Sequence, residues 1–286
     1  MPEIKKIYAV IGDPVEHSVS PLIHNFIFQQ LGLPYSYQKI KIETFQLKEF
    51  IIRCRENDLQ GFNVTLPHKE TIISLLDKTE GQARSTGAVN TVINKNSILK
   101  GFNTDVTGCF YALKKSSWRQ TGRIVILGAG GACRAALIAL TRFNPYSVTI
   151  IARSPDRAYE LKKIFSDQVK FDIYAENIKF QNMEELLTDA SVLINTTPVG
   201  MWPRIQNSPV PEPDTIPQHL IVFDMVPNPV YTTLLKQAKQ RGAEIISGLS
   251  MLIFQAIASQ EIWLNQKLPE RLFDKVWTHL IEKMGT

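Results

Sequence analysis

Apolar and polar positions along the chain switch between two periods. The runs IYAVIG (7–12), SYQKIKI (36–42) and GFNVTL (61–66) are short and rich in β-branched and aromatic residues, as strands are. Between and after them, PLIHNFIFQQLG (21–32), TFQLKEFIIRCREN (44–57) and HKETIISLL (68–76) carry apolar residues at helical spacing. GAVNTVIN (87–94) and ILKGFN (98–103) add two strands, and Thr104-Asp105 opens a helix, DVTGCFYALKKS. Trp118, Arg119, Gln120, Thr121 and Gly122 read as a linker. A second alternating series follows: RIVILGAG, GACRAALIALTRF, SVTIIARS, PDRAYELKKIF, KFDIY, a weak helix EELLT, SVLINTT, LIVFDMV, TTLLKQAKQRG and AEIIS. Strands alternating with helices predict an α/β protein with mostly parallel sheets, and the second series has the order of a doubly wound nucleotide-binding domain. The tail, MLIFQAIASQEIWLNQ and PERLFDKVWTHLIEKM, is helical.

Composition narrows the class. At 286 residues the chain suits two domains, and 44% hydrophobic with 21% charged residues is the balance of a globular protein without disordered tracts. The N-terminus has too short an apolar run for a signal peptide, and IVILGAGGACRAALIAL, broken by Arg134, does not read as a membrane span. Cys54, Cys109 and Cys133 match neither a disulfide framework nor a zinc spacing, so a cytoplasmic location is expected. The five histidines lack metal-ligand spacing, and no metal is expected. The net charge of +5 is spread along the chain, which suits small anionic ligands better than nucleic acid. Asn63 and Asn195 match the glycosylation pattern N-x-T, which carries no weight without secretion.

Gly128, Ala129, Gly130, Gly131 and Ala132 follow the strand IVIL and open a helix, as a dinucleotide fingerprint does. Gly128 permits the tight turn, Gly130 lets backbone N–H groups approach a pyrophosphate, and Cys133 takes the third fingerprint position. About 25 residues on, Arg153, Ser154 and Arg157 stand where NAD-binding domains place a carboxylate. Two guanidinium groups suit a 2′-phosphate, which favours NADP over NAD; the bland alternative is a solvated basic helix start.

In the first domain, Ser20 is expected at a helix N-cap with Pro21 as the first helical residue, while Ser18 is not needed for capping. Two hydroxyls at a positive helix end can hold a carboxylate. Lys69 stands at the expected start of HKETIISLL, where helix charge weakens an ammonium's hold on its proton. Asp105 could cap its own helix or pair with Lys69, and a pair would strengthen that hold.

The blocks GDPVEHSVSPLIHN, GFNVTLPHKE, GAVNT, GFNTD, LGAGGACRA, NTTPVGM, DMVPNP and GLSMLIFQ occur in the order of the shikimate dehydrogenase family, which this chain resembles over nearly its whole length. The resemblance implies reversible, NADPH-linked reduction of 3-dehydroshikimate to shikimate in aromatic amino-acid biosynthesis. It implies an N-terminal α/β substrate domain, 1–105 joined by helices of 248–286, and a Rossmann-type NADP domain, 106–247. It makes Lys69 the catalytic acid–base and Asp105 its partner, with Ser18, Ser20, Thr65, Asn90 and Gln255 at substrate positions. Gly128 to Ala132, Ala152 to Arg157, Met225 and Gly248 fall at cofactor positions. Two places depart from the family pattern: Pro227 stands where tyrosine is common, and Ala152 where the phosphate-reading motif usually has asparagine. Quinate as substrate, NAD as a second cofactor, and a non-catalytic ligand-binding paralogue stay open, as does the choice between monomer and homodimer.

Overall fold

The computed structural model describes residues 6–56, 59–119, 122–177 and 183–284. The chain divides into two compact units, 1–107 with 253–286, and 108–252. In the first, β1 (Lys6–Gly12), α1 (Ser20–Gln30), β2 (Tyr35–Lys41), α2 (Leu47–Cys54) and β3 (Leu59–Val64) form a strand–helix alternation. After them come β4 (Lys78–Thr79), α3 (Gln82–Thr86), β5 (Thr91–Lys95) and β6 (Ile98–Phe102), and α4 (Asp105–Lys114) begins in this unit and ends in the second. The sheet order is β2-β1-β3-β5-β6-β4. β1 pairs in parallel with β2 and β3, β5 runs antiparallel to β3 and β6, and β4 is parallel to β6. Alternation along β1 decides what each face covers: Ala9 and Ile11 pack with Leu47, Ile51 and Phe62, while Tyr8 and Val10 pack with Phe28, Tyr37 and Trp263. Because both faces are buried, IYAVIG has no polar position.

The second unit holds β7 (Arg123–Leu127), α5 (Gly131–Leu140), β8 (Ser147–Ala152), α6 (Pro155–Phe165), β9 (Asp172–Asn177), α7 (Met183–Thr188), β10 (Ala190–Asn195), β11 (Ile221–Asp224), α8 (Thr233–Gln240) and β12 (Glu244–Ser247). Its six strands lie in the order β12-β11-β10-β7-β8-β9, all parallel. Helices α9 (Gly248–Leu264) and α10 (Leu272–Met284) complete the chain.

Two local expectations are corrected. HKETIISLL does not form an α-helix: a turn over 66–70 leads into a 3-10 helix, Thr71–Leu75. An α-helix would need the Ile73 N–H on the Lys69 carbonyl, but Val89 N–H occupies that oxygen at 2.8 Å and Ile73 turns to Glu70 instead. Lys69 therefore does not sit on the positive end of an α-helix. Ser20 is not a cap but the first residue of α1, preceded by Val19 with no side-chain cap. The capping-type bond is made by Ser18, whose Oγ accepts from Ser20 N–H at 3.3 Å. The short elements β4 and α3 have too few residues to show a period. The expected linker keeps Trp118 buried, while Gln120 and Thr121, like Asn57 at the end of the expected second helix, lie outside the described residues.

Candidate active site

Strand pairing brings four segments of the first unit to one sheet edge. The exits of β1 and β3 coincide because the strands are parallel. Thr91 at the start of β5 lies opposite both Asn63 and Phe102, so the entry to β5 and the exit of β6 fall on the same edge. Ser18 and Ser20 follow β1, Thr65 and Lys69 follow β3, Asn90 precedes β5 and Asp105 follows β6. This is the carboxyl end of the parallel strands, where open α/β sheets bind ligands.

Lys69 Nζ lies 2.6 Å from Asp105 Oδ2, with the two side chains 23% and 12% exposed. Asn90 Nδ2 donates to the other carboxylate oxygen, Oδ1, at 2.8 Å. Asp105 is free to face this way because Asn103 Oδ1 receives the first N–H groups of α4, from Asp105 and Val106. Asn90 Nδ2 also reaches Thr104 Oγ1 at 3.0 Å and Gln255 Oε1 at 3.3 Å. One turn beyond Gln255, Ser259 joins Thr91, Thr104 and Asn63 at 2.9, 3.0 and 3.1 Å. Asn63 Oδ1 accepts from the Tyr37 hydroxyl at 2.7 Å. A satisfied buried network of this kind holds each member in one orientation.

Lys69, Asp105, Asn90 and Gln255 thus meet directly. Ser20 connects to them through Tyr37, whose phenol burial pushes well above its usual pKa, a hydrogen bond with Ser20 acting against that. Thr65, half-buried at the exit of β3, makes no side-chain hydrogen bond with this group among the described residues. His24 stacks on Tyr37 with ring centroids 4.1 Å apart, and burial lowers its pKa to about 3, so it is a neutral packing residue. The sequence reading missed Tyr37, Asn63, Thr104 and Ser259. Of these, Ser259 had a local signal: it lies four residues after Gln255, on the same helix face.

In the second unit the site is built from backbone. Gly128 has φ +103°, and a Cβ there would meet Thr196 Oγ1 at 2.7 Å, so the turn requires glycine. Gly130 caps α5 without a side-chain bond. Nothing lies within 4 Å of a Cβ added at Gly130 or Gly131, which leaves room for a phosphate over the helix start. Ala129 and Ala132 are half-buried beside these glycines, and Cys133 is buried, its thiol pushed up to about 12 by desolvation. Ala152 ends β8, and Arg153, Ser154 and Arg157 are exposed at the start of α6. Neither arginine has an ion-pair partner among the described residues. Met225 N–H donates to Asn195 O at 3.0 Å. A Cβ on Gly248 would fall 2.5 Å from Met225 C, so that glycine allows the two backbones to touch.

Among the described residues no cluster of His, Cys, Asp or Glu could hold a metal ion, and no helix is long and apolar enough to cross a membrane. A Rossmann-type unit whose glycine turn and free arginines fit NADP, in one chain with a lysine–aspartate pair, defines a nicotinamide-dependent oxidoreductase. Residues 10–92 match the family model described as the shikimate dehydrogenase substrate binding domain, and 111–239 that of shikimate / quinate 5-dehydrogenase. The chain belongs to the shikimate dehydrogenase family. It is 38% identical over 273 residues to shikimate dehydrogenase (NADP(+)) of Methanobrevibacter smithii, covering 94% of this chain and 95% of that one. Shikimate 5-dehydrogenase from Thermus thermophilus, solved with NADP(H) and shikimate, superimposes with a TM-score of 0.83 at 32% identity, over 95% of this chain and 98% of that chain. The enzyme from Listeria monocytogenes, solved with shikimate and NAD, has a TM-score of 0.87 at 30% identity, over 98% and 99%.

Proposed function

We infer that this protein is an NADP-dependent shikimate dehydrogenase, reducing 3-dehydroshikimate reversibly to shikimate. The observation that carries the mechanism is the 2.6 Å contact between Lys69 and Asp105 at the ligand-binding edge of the sheet. NADPH supplies hydride to the ring carbonyl. As negative charge grows on that oxygen, Lys69 donates a proton, and in the reverse direction its neutral amine accepts one from the alcohol. Asp105 orients the amine, and Asn90 holds the carboxylate in place. Gln255 and Asn90 offer amide groups to substrate hydroxyls, and Ser18, Ser20 and Thr65 offer hydroxyls to the carboxylate and ring. Gly128 to Ala132 take the pyrophosphate, Arg153, Ser154 and Arg157 the 2′-phosphate, and Ala152, Met225 and Gly248 line the cofactor.

On this reading 1–105 with 248–286 is the substrate domain and 106–247 the NADP domain. A cytoplasmic location without nucleic-acid or membrane partners is supported by the scattered basic residues and by three buried cysteines, none of them in a disulfide among the described residues, and a monomer or a homodimer fits this reading equally. Following the nicotinamide absorbance with shikimate and quinate, each against NADP+ and NAD+, tests the assignment. The shikimate–NADP+ pair is expected to be fastest. Turnover of quinate with NAD+ at equal or greater rate would replace the reading with a quinate dehydrogenase, and no turnover with any pair would make the chain a binding paralogue.

A further inference from the structure

Asp224 is a fully buried carboxylate at the carboxyl end of β11. It has no ion-pair partner among the described residues. Its oxygens accept three hydrogen bonds: Asn195 Nδ2 at 2.9 Å and Val226 N–H at 3.1 Å on Oδ1, and Thr232 Oγ1 at 2.6 Å on Oδ2. Each donor belongs to a different piece of chain. Asn195 ends β10, and its Oδ1 in turn accepts the N–H and hydroxyl of Thr197 at 3.0 and 2.7 Å. Val226 begins the segment after Met225. Thr232 caps α8, accepting Leu235 N–H.

Burial without a neighbouring cation raises the Asp224 pKa to about 6, the three hydrogen bonds acting against that. A carboxyl group with a raised folded-state value contributes stability below the ordinary carboxylate range and loses it as pH rises through about 6. Fold stability at neutral pH therefore does not account for a carboxylate here. Its geometry does, because one planar side chain with two arms reaches all three donors at once, two on Oδ1 and one on Oδ2.

In this strand order the adenosine half of a bound dinucleotide falls toward β8 and the other half toward β10 and β11. We propose that Asp224 is a positioning residue that fixes the loop after β10 and the loop carrying Met225 as the walls of the nicotinamide end of the cofactor site. The proposal rests on the reading that this unit binds NADP, and no contact of Asp224 itself with the cofactor is involved.

The test uses the full-length protein. Hydrogen exchange is measured over 195–199 and 225–232 in wild type, Asp224→Ala and Asp224→Asn, together with NADP+ and shikimate affinity by calorimetry. Asp224→Ala should speed exchange in both loops and weaken NADP+ about tenfold or more, with shikimate affinity unchanged. Asp224→Asn keeps the shape and reverses one hydrogen bond, toward Thr232, so it should restore NADP+ affinity to within about threefold of wild type. If Asp224→Ala does not fold, Thr232→Val removes the Oδ2 donor and is held to the same criteria. Unchanged NADP+ affinity and loop exchange in the folded variant, or an equal loss of shikimate affinity, would overturn the proposal. Wild type that fails to bind NADP+ would instead overturn the cofactor reading itself.

Discussion

The two candidate sites are made by opposite means. In the first unit, side chains far apart in sequence converge: Asn90 meets Gln255 across 165 residues, and Thr91 meets Ser259 across 168. In the second, the site is local backbone: a glycine turn, a helix start and two arginines beside a strand end. The first arrangement suits proton transfer, which needs a few groups held in one geometry. The second suits a long polyanion, for which N–H groups and guanidinium forks suffice. Substitutions in the two units should therefore fail differently, in turnover for one and in cofactor affinity for the other.

The largest effect is expected at Lys69. Lys69→Ala should lower kcat about a thousandfold while NADP+ affinity, measured by calorimetry, stays at the wild-type value. Turnover within a few-fold of normal would remove Lys69 from the chemistry. Asp105→Asn should lower kcat about a hundredfold with NADP+ affinity unchanged, because the amine loses the carboxylate that orients it. Next come the arginines. Arg153→Ala with Arg157→Ala should weaken NADP+ about tenfold to a hundredfold and leave NAD+ affinity nearly unchanged, as competitive binding assays would show. Equal losses for both cofactors would mean that these side chains do not read the 2′-phosphate.

Smaller effects sharpen the contrast. Ser259→Ala strands partners of a buried network and should cost the first unit about 1–3 kcal/mol in chemical unfolding, raise KM for shikimate and leave NADP+ affinity alone. Acid should also separate the units. His24, with its folded value lowered to about 3, contributes stability above the ordinary histidine range that is lost as pH falls toward that value. Asp224 has the opposite sign. Hydrogen exchange as pH falls below the histidine range should therefore open the first unit before the second. His24→Phe, which keeps the stack on Tyr37, should flatten that acid dependence.

The difference between the sites also explains what could be read from the chain. The second unit's site is legible because its chemistry is contiguous: strand, glycine turn and helix follow one another, and the arginines mark the next strand end. Its parallel sheet followed from the alternation of strands and helices. In the first unit the motif residues could be named, but not how they meet. Asp105 could be a cap or a partner until Asn103 was seen to take the capping role, a choice that depends on side-chain direction. The α-helix expected at Lys69 failed because Val89, twenty residues away, takes the carbonyl that the helix needed. Tyr37 lies in no motif block, and nothing within GFNVTLPHKE marks Asn63 as its partner; the pairing of their strands with β1 brings them together.

The position of the Lys69 amine with both ligands bound is the most direct test of its role. A crystal structure with NADP+ and shikimate should show Nζ within about 2.6–3.2 Å of the hydroxyl to be oxidised, still paired with Asp105. An amine turned to solvent, with another group on that hydroxyl, would contradict it.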